Sequence, residues 1–472
     1  MSSLAPPRRA PAPAPAGDDR RPTATAVLGS PPLTALVVGG LVAVGVVLRF
    51  VTRSDLWLDE ALSTNIARLP VGDLLDALAR DGHPPLHYLL LHGWMQVFGE
   101  GDVAVRALSG LLSVATLPVA WVAARRYGGR SCATAVLVVL ATSPFALRYA
   151  TEARMYSLVV LLVLLGWLAV HGALDHPRPW RLAAVGLLSG LLLLTHYWSL
   201  FLLVAVAGLL ALRAARGTGA VRRRSLTVLG AVAAGGLLFL PWLPTFVDQL
   251  ADTGTPWGGP SRPAEVVTEG LIDIGGGPYG EARTLGAFLG VLALLAVFGR
   301  ALDARHVELD LRTRPRARPE AAALVATVVL GTSVSWVAGT AFASRYLAVV
   351  FPLLVLLVGL GISTIGSRTA RGVVLAAVAA LSIVGGGYNV STVDWRAYEE
   401  RQRDGDPAAF AQQLVNRAGS GNVWLAWAGG YRGFGRACED VVSQLSVLRV
   451  PQEVVADDES FEHGWLFRYP AP

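Results

Sequence analysis

Apolar runs separated by arginine-bearing loops recur along most of the chain, and this pattern restricts the possible folds more than any other feature. Of the 472 residues, 53% are hydrophobic and only 16% are charged. A soluble domain typically carries about 25% charged residues. Because a backbone inside a bilayer must satisfy its own hydrogen bonds, we predict a polytopic α-helical membrane protein with about eleven transmembrane helices. The predicted spans lie near residues 32–50, 103–124, 131–147, 155–172, 181–196, 198–212, 226–243, 284–299, 320–341, 346–364 and 372–389.

The arginines predict the orientation of these helices. The chain has no lysine, so all 40 basic residues are arginines, a bias typical of a GC-rich bacterial genome. When the spans are counted in pairs, the arginine clusters fall on one side, which the positive-inside rule assigns to the cytoplasm. The clusters are Arg8–Arg9, Arg20–Arg21, Arg125–Arg130, Arg178–Arg181, Arg213–Arg224, Arg300–Arg318 and Arg368–Arg371. We expect a bacterial plasma-membrane protein with a cytoplasmic N-terminus. Its positive net charge then reflects the orientation of the helices in the membrane and is no sign of nucleic-acid binding.

The two ends of the chain differ from the apolar middle. Residues 1–30 are rich in Pro and Ala and are predicted to be a disordered cytoplasmic tail. Residues 31–390 form the predicted transmembrane domain, and residues 391–472 a small extracytoplasmic α/β domain. Its expected elements are helices at Pro407–Arg417 and Ala437–Leu445 and a strand at Val423–Trp427. Asp404 and Asp406 match the D-x-D pattern of metal-dependent sugar transferases, but Asp406 before Pro407 fits better as a helix N-cap.

The long first outer loop, residues 51–102, contains further helical patterns. The segment His83–Gly99 is apolar, but if it crossed the membrane every later arginine cluster would change sides, so we predict an interfacial or re-entrant helix. Leu58, Leu62, Ile66 and Leu69 recur at helical spacing before Pro70. A second short helix is expected to be capped by Asp73 and to end near Arg80. We expect the two to be amphipathic helices on the membrane surface.

Two adjacent carboxylates, Asp59 and Glu60, lie where the first span has ended, in the stretch Trp57-Leu58-Asp59-Glu60-Ala61. Neighbours on a helix do not share a face, so one carboxylate can point into a cavity while the scaffold holds the other. A partly desolvated carboxylate at a membrane surface is a suitable general base for a hydroxyl. Acidic residues stabilising a helix N-terminus are the alternative interpretation.

Histidines and arginines near the same membrane face are further candidates. His83 and His87 share a face if their helix begins at Pro84, but two histidines are too few for a metal site, and a polar cavity lining is favoured. Arg106, Arg154 and Arg345 run against the positive-inside trend and suit bidentate binding of a phosphate, with interfacial snorkelling as the alternative. Their neighbours Glu152, Tyr156 and Tyr346 join the candidate binding residues. His196 also reaches this face, where an aromatic belt is slightly favoured over stacking on a sugar.

This combination of motifs resembles the GT-C membrane glycosyltransferases, close to the protein O-mannosyltransferases and the lipid A aminoarabinose transferases of family 39 and its relatives. The motifs are the Asp-Glu pair, the D-x-H-P-P-L turn at 81–86, Arg106 opening a span, and Arg345-Tyr346 beside a late one. The resemblance covers residues 32–365, with His87 where the family has tyrosine. It implies that Asp59 is the catalytic base, Glu60 its acidic neighbour and His83 part of the loop motif, and that Arg106, Arg154 and Arg345 are family arginines, the last two near the phosphate.

The resemblance further implies an inverting glycosyltransferase that uses a polyprenyl-phosphate-linked sugar outside the cytoplasm and requires no cofactor. Mannose is the default sugar, with arabinose and glucose as alternatives, and the hydroxyl acceptor is a protein, a glycolipid or a cell-wall glycan. A lipid or solute transporter is the competing function, but the chain shows no inverted hydropathy repeat. A membrane anchor for the C-terminal domain would leave the outer arginines unexplained. We expect Asp59 to face Arg106, Arg154 and Arg345 across a shared hollow.

Overall fold

A computed structural model describes residues 31–52, 56, 58–252, 262–277, 280–340 and 342–403, and three strands between 423 and 469. The predicted tail at 1–30, Trp57, Asp404, Asp406 and the two predicted C-terminal helices lie outside these residues.

The described chain consists mainly of helices. They are α1 (Pro31–Leu48), α2 (Leu58–Arg68), α3 (Val71–Asp81), α4 (Leu86–Phe98), α5 (Asp102–Thr142), α6 (Pro144–Ala150), α7 (Tyr156–Asp175), α8 (Pro179–Leu193), α9 (Trp198–Arg216), α10 (Gly219–Gly235), α11 (Leu243–Asp252), α12 (Pro263–Gly275), α13 (Gly280–Phe298), α14 (Arg318–Ala338), α15 (Phe351–Thr364) and α16 (Arg368–Arg403). Two 3₁₀ segments, Gly236–Trp242 and Ser344–Val349, precede α11 and α15.

Two small sheets accompany the helices. Strands β1 (Gly299–Ala301) and β2 (Val307–Leu309) form an antiparallel pair. Strands β3 (Val423–Ala428), β4 (Glu453–Asp458) and β5 (Gly464–Tyr469) form an antiparallel sheet in the order β3-β5-β4. The predicted strand at Val423–Trp427 is therefore confirmed, whereas α16 continues through the predicted domain boundary at residue 391.

Every predicted span falls on helical chain. Seven helices are long and apolar enough to cross a membrane by length and composition, and three shorter apolar helices accompany them. The span predicted near 103–124 lies on α5, and the span predicted near 131–147 begins on α5 and continues into α6. Helix α5 is interrupted at Gly129, where φ is 81° and ψ −168°. The chain is thus a polytopic helical membrane protein, and the count of eleven crossings stays a prediction.

The core of the helix bundle is α15, which packs against α5 and α13. A Cβ atom on Gly359 would lie 2.4 Å from Val136 Cγ2, and one on Gly361 would lie 1.9 Å from the Leu292 carbonyl oxygen. Small residues at such positions let helix backbones approach closely, which is how membrane helices associate without a hydrophobic driving force. These contacts fix the scaffold from which the loops at one end of the bundle project.

The first long loop folds into α2, α3 and α4, as the helical patterns predicted, but two details differ. Pro70 is the N-cap of α3 and Asp73 lies in its first turn, so Asp73 is not the cap; the fixed φ of Pro70 starts the helix earlier. Helix α2 is not a surface helix with one side in water. Ile66 on its apolar side and Glu60 and Ser63 on its polar side are all buried, because the polar side packs against other charged residues.

Arg49 fixes the chain just before this loop. Its guanidinium is 1% exposed and donates hydrogen bonds to the carbonyl oxygens of Gly45 (2.7 Å), Ala141 (3.1 Å) and Leu140 (2.7 Å), and to Ser113 Oγ (2.9 Å). Two of these carbonyls belong to the last turn of α5, whose oxygens have no partner within the helix. Arg49 therefore joins the end of α1 to the end of α5 without a carboxylate.

We expect Arg49→Met to lower the free energy of unfolding by about 2 kcal/mol or more, because it leaves buried carbonyl oxygens without donors. The measurement is the apparent melting temperature of the full chain in detergent. Arg80→Met, which removes an exposed arginine in the same region, is the matched control and should leave it nearly unchanged. Equal melting temperatures for the two variants would show that Arg49 does not join the helices.

Candidate active site

Glu60 lies in the first turn of α2 and is fully buried. Arg106 near the start of α5 donates to both carboxylate oxygens, from Nε to Oε1 at 2.7 Å and from Nη2 to Oε2 at 2.5 Å. The backbone N–H of Ala153 donates to Oε1 at 2.7 Å. This bidentate pair, with the guanidinium 5% exposed, joins α2 to α5 and to the loop before α7. Arg106 thus meets Glu60, and the expectation that it would face Asp59 is wrong.

The neighbouring carboxylate of Asp59 points to a different group of arginines. Its Oδ2 lies 3.6 Å from Nη2 of Arg154 and 3.4 Å from Nη2 of Arg345, and the side chain is 19% exposed. Oδ2 itself is buried and accepts no hydrogen bond from the residues that the structure describes. A buried carboxylate oxygen without a donor is unfavourable unless a bound molecule supplies one. Asp59 therefore combines two nearby positive charges with an unused hydrogen-bond position.

Arg154 is 2% exposed and is held by several groups of the first loop. Its guanidinium donates to Ser63 Oγ at 2.8 Å, to the Tyr88 hydroxyl at 3.3 Å and to His83 Nε2 at 3.0 Å. Burial alone would lower the pKa of Arg154, but the neighbouring Tyr88 and Asp59 raise it well above its ordinary value. Arg154 is therefore a fixed positive charge beside Asp59, and it does not snorkel toward the membrane interface.

His83 links Arg154 to Asp81. Since a guanidinium has donors only, Nε2 of His83 accepts from Arg154 and its Nδ1–H donates to Asp81 Oδ2 at 2.7 Å, which makes the ring neutral. Burial raises the pKa of the Asp81 carboxyl, but His83, Arg154 and the Tyr88 hydroxyl together hold it below its usual value. The D-x-H turn thus supports the arginine that faces Asp59.

His87 does not share a helical face with His83, because α4 begins at Leu86 and His83 precedes it. His87 is fully buried, with Nε2 3.4 Å from the Ala153 carbonyl oxygen, and burial lowers its pKa to about 3. Within the described part of the chain, no three His, Cys, Asp or Glu side chains are grouped so that they could hold a metal ion.

A second ion-pair network lies beside the first and includes a residue that the sequence reasoning missed. Arg148 donates from Nε to Glu152 Oε1 at 3.1 Å and from Nη1 to Asp273 Oδ1 at 3.0 Å. The Tyr149 hydroxyl donates to the other oxygen of Asp273 at 3.0 Å. Burial and the nearby charge of Glu60 raise the pKa of Glu152, while Arg148 opposes this shift. Asp273 thereby connects α12 to α6, and an acidic residue in the apolar last part of that helix, residues 270–275, was the signal for it.

Aromatic rings line the side of the site formed by α7, α9 and the segment at 344–349. The ring of His196 lies 5.9 Å from that of Tyr156 and 5.4 Å from that of Tyr346, and Trp198 lies 5.5 Å from Tyr346. His196 is buried, so the predicted aromatic belt is wrong for it; with the buried Trp198 it packs inside the bundle. Burial lowers the pKa of His196 to about 3, so this imidazole is uncharged at neutral pH.

The predicted site residues come from six separate regions of the sequence and lie in one continuous cluster. Asp59, Arg345 and His83 are partly exposed, at 19%, 25% and 29%, whereas Glu60, Arg106 and Arg154 are buried. The sequence reasoning gave no role to Tyr88, Ser63 and Asp273, which hold the arginines in place. The functional roles of all these residues stay predictions.

Glu60→Ala should destabilise the chain strongly, by about 3–5 kcal/mol, because it removes the buried carboxylate that the Arg106 guanidinium contacts through two hydrogen bonds. Asp59→Asn should destabilise the chain less, since this side chain is partly exposed and lies farther from its arginines, at 3.6 and 3.4 Å. Apparent melting temperatures in detergent measure both effects.

The double variant Glu60→Ala/Arg106→Met is the control, since it removes both charges and should recover part of the loss. If Glu60→Ala melted at the temperature of Asp59→Asn, the Glu60–Arg106 pair would not be what holds α2.

Comparison with known proteins gives a family match over part of the chain. Residues 82–244 match the family model described as dolichyl-phosphate-mannose-protein mannosyltransferase. This region includes His83, Arg106 and Arg154, but neither Asp59 nor Arg345. No curated protein matches the chain.

Solved structures match almost the whole chain. The crystal structure of ArnT from Cupriavidus metallidurans in the apo state has a TM-score of 0.58 and 14% identity, over 92% of this chain and 98% of that one. The structure of ArnT from the same organism bound to undecaprenyl phosphate has a TM-score of 0.53 and 14% identity, over 93% and 97% of the two chains. At this identity the likeness concerns the fold. The chain has the GT-C fold of the membrane glycosyltransferases, as its motifs led us to expect.

Proposed function

We propose that the chain is an inverting glycosyltransferase that moves a sugar from a polyprenyl-phosphate donor to a hydroxyl acceptor, with Asp59 as general base. The observation that carries this proposal is the Asp59 carboxylate itself. Its Oδ2 lies beside two guanidinium groups, 3.6 Å from Nη2 of Arg154 and 3.4 Å from Nη2 of Arg345. The carboxylate as a whole is 19% exposed, so an acceptor hydroxyl can approach it, and a carboxylate fixed between positive charges is suited to receive its proton.

The bond changes follow from this placement. The acceptor oxygen bonds to the anomeric carbon while the bond from that carbon to the phosphate oxygen breaks on the opposite side, which inverts the configuration. The hydroxyl proton goes to Asp59, and the lipid phosphate leaves with the electron pair. A phosphate that departs with its own negative charge needs cationic stabilisation more than it needs a general acid.

Arg345 is the residue that we assign to the donor phosphate. It is the more exposed of the two arginines beside Asp59, at 25% against 2% for Arg154. Arg154 is surrounded by Ser63, Tyr88 and His83, so its role is to position Asp59 and to keep a positive charge near it. Arg106 is occupied by Glu60, which makes both of them positioning residues for α2.

The donor class has support from the related fold. ArnT, which shares the fold over nearly its whole length, has been crystallised with undecaprenyl phosphate. Mannose remains our default sugar, because residues 82–244 match the mannosyltransferase family model; arabinose and glucose are the alternatives. The acceptor is a hydroxyl on a protein, a glycolipid or a cell-wall glycan. Tyr346 is half-buried near Asp59 and can offer its ring to the sugar, whereas the buried rings of Tyr156 and His196 pack close by, His196 directly against Tyr346.

Asp59→Asn should lower the rate of sugar transfer by about 10²–10⁴-fold, because an amide cannot accept the proton. The measurement uses membranes that contain the full chain and a panel of radiolabelled polyprenyl-phosphate sugars. Asp76→Asn, an exposed carboxylate on α3, is the matched control and should transfer at the wild-type rate. Unchanged transfer by Asp59→Asn would refute the assignment of the base, and no transfer by the wild type with any donor would favour a transporter.

The proposed reaction takes place on the outer face of the plasma membrane, opposite the arginine clusters. In a background with Cys132 and Cys438 changed to Ser, a cysteine at Asp76 should react with a membrane-impermeant maleimide on intact cells. A cysteine at Arg223, in an arginine cluster at the other end of the bundle, should react only after the cells are broken. The reverse labelling pattern would place the candidate site in the cytoplasm.

A further inference from the structure

A β-hairpin, residues 299–309, joins two of the helices that are long and apolar enough to cross a membrane. Helix α13 ends at Phe298 and α14 begins at Arg318, and strands β1 and β2 lie between them. The N–H of Asp310 donates to the carbonyl oxygen of Phe298 at 2.8 Å. The N–H of Arg314 donates to the carbonyl oxygen of Val297 at 2.7 Å. These bonds hold the base of the hairpin at the end of α13, where this helix leaves the hydrocarbon core.

The turn of the hairpin is fixed as well. Oδ1 of Asp303 accepts from the N–H groups of Arg305 (2.6 Å) and His306 (2.8 Å), and its Oδ2 lies 2.8 Å from Nδ1 of His306. A Cβ atom on Gly366, in the connection after α15, would lie 2.4 Å from the Asp303 carbonyl oxygen, so the turn packs closely against that connection. The hairpin therefore presents its two faces in fixed directions.

The two faces of the hairpin differ in polarity, because successive residues of a strand point to opposite sides. One face is apolar and consists of Gly299, Ala301, Val307 and Leu309. The other face carries the cross-strand pair Arg300 and Glu308. On the apolar face Val307 is exposed, and Leu309 is 68% exposed. Large apolar side chains left open in this way mark a surface that another molecule covers.

The apolar face points back toward α13. A Cβ atom on Gly299 would lie 2.5 Å from the carbonyl oxygen and 2.6 Å from Cδ1 of Leu295, in the last turn of that helix. Leu309 lies opposite Gly299 in the register and projects to the same side of the sheet. Leu294 of α13 is also exposed at this level. At the end of a transmembrane helix the headgroups meet the acyl chains, so lipid is the molecule that adjoins this face.

The hairpin and its flanking segment are positively charged. From Gly299 to Arg318 the chain has six arginines and three acidic residues, so the net charge is +3 with His306 neutral. Arg305 in the turn and Arg316 before α14 are exposed, and neither guanidinium lies within ion-pair distance of a carboxylate in the described part of the chain. Exposed arginines at a membrane surface attract anionic lipids, whose phosphates accept two N–H groups from one guanidinium.

We propose that the β1–β2 hairpin lies in the headgroup layer of the bilayer and binds anionic phospholipids there. Val307 and Leu309 insert between the upper parts of the acyl chains, and Arg305 and Arg316 bind headgroup phosphates. This contact does not depend on the proposed transfer reaction, since it involves neither Asp59 nor the arginines beside it.

Fluorescent labels on the two faces of the hairpin test the insertion. In the Cys132→Ser/Cys438→Ser background, Leu309→Cys places a bimane label on the apolar face and Glu308→Cys places it on the charged face. The full chain is placed in nanodiscs of phosphatidylcholine and phosphatidylglycerol, in which both membrane faces are open to solutes. Brominated acyl chains should quench the label at position 309 more strongly than the label at 308, and aqueous iodide should show the reverse order.

Two results would overturn the insertion. If iodide reached both labels equally, the apolar face would lie in water. If neither quencher reached the label at position 309, a protein surface or a second copy of the chain would cover that face.

The lipid preference at the hairpin is measured with the label at position 309. Brominated phosphatidylglycerol and brominated phosphatidylcholine are compared as quenchers, each as a minor component of phosphatidylcholine nanodiscs. We expect phosphatidylglycerol to associate about tenfold more strongly, because each arginine near the membrane surface adds to the attraction of anionic lipid. Arg305→Gln/Arg316→Gln should abolish this preference. The matched control Arg222→Gln/Arg223→Gln removes the same charge from exposed positions on α10 and should keep it.

Equal association of the two lipids with the chain that retains its arginines would overturn the anionic part of the proposal. An unchanged preference in Arg305→Gln/Arg316→Gln, at a normal melting temperature, would do the same.

Discussion

Charged side chains buried at one end of an apolar bundle must find partners, and this requirement determines the geometry of the candidate site. Removing a carboxylate from water costs several kcal/mol unless good hydrogen bonds replace the solvent. Glu60 meets this requirement with the bidentate contact to Arg106 and the N–H of Ala153. Those contacts fix the rotation of α2 about its axis. The carboxylate of the preceding residue, Asp59, is therefore directed to another face of the helix. Asp59 therefore lies beside Arg154 and Arg345 as a consequence of where Glu60 is bound.

The fold and the membership of the site could largely be predicted from the sequence. Long apolar runs specify helices in a bilayer, and motifs at the same end of successive spans must come together there, which is why Asp59, His83, Arg154 and Arg345 converge. The pairing could not be predicted, since hydropathy places a residue along the membrane normal but does not give its direction around a helix. For this reason Arg106 was expected opposite Asp59 and His196 in an aromatic belt.

Other features depend on contacts between distant parts of the chain. Asp273 is 125 residues from Arg148, its ion-pair partner, and no local pattern connects them. Helix α3 shows the opposite case, because its start is set locally. The fixed φ of Pro70 starts the helix there, although Asp73 would have been a favourable side-chain cap.

The two ends of the bundle differ in how their charged residues are placed. At the Asp59 end the charges are paired and mostly buried, whereas at the other end Arg213 and Arg216 remain exposed.

The assignment of Asp59 and Arg345 is tested most directly by an experimental structure of the full chain with a polyprenyl phosphate bound. We predict that the lipid phosphate contacts the Arg345 guanidinium and that Arg345 exchanges its contact with Asp59 for the phosphate. Arg154 should stay beside Asp59, and the Glu60–Arg106 pair should be unchanged. A phosphate bound away from Arg345, with the Asp59–Arg345 contact intact, would contradict the proposed active centre.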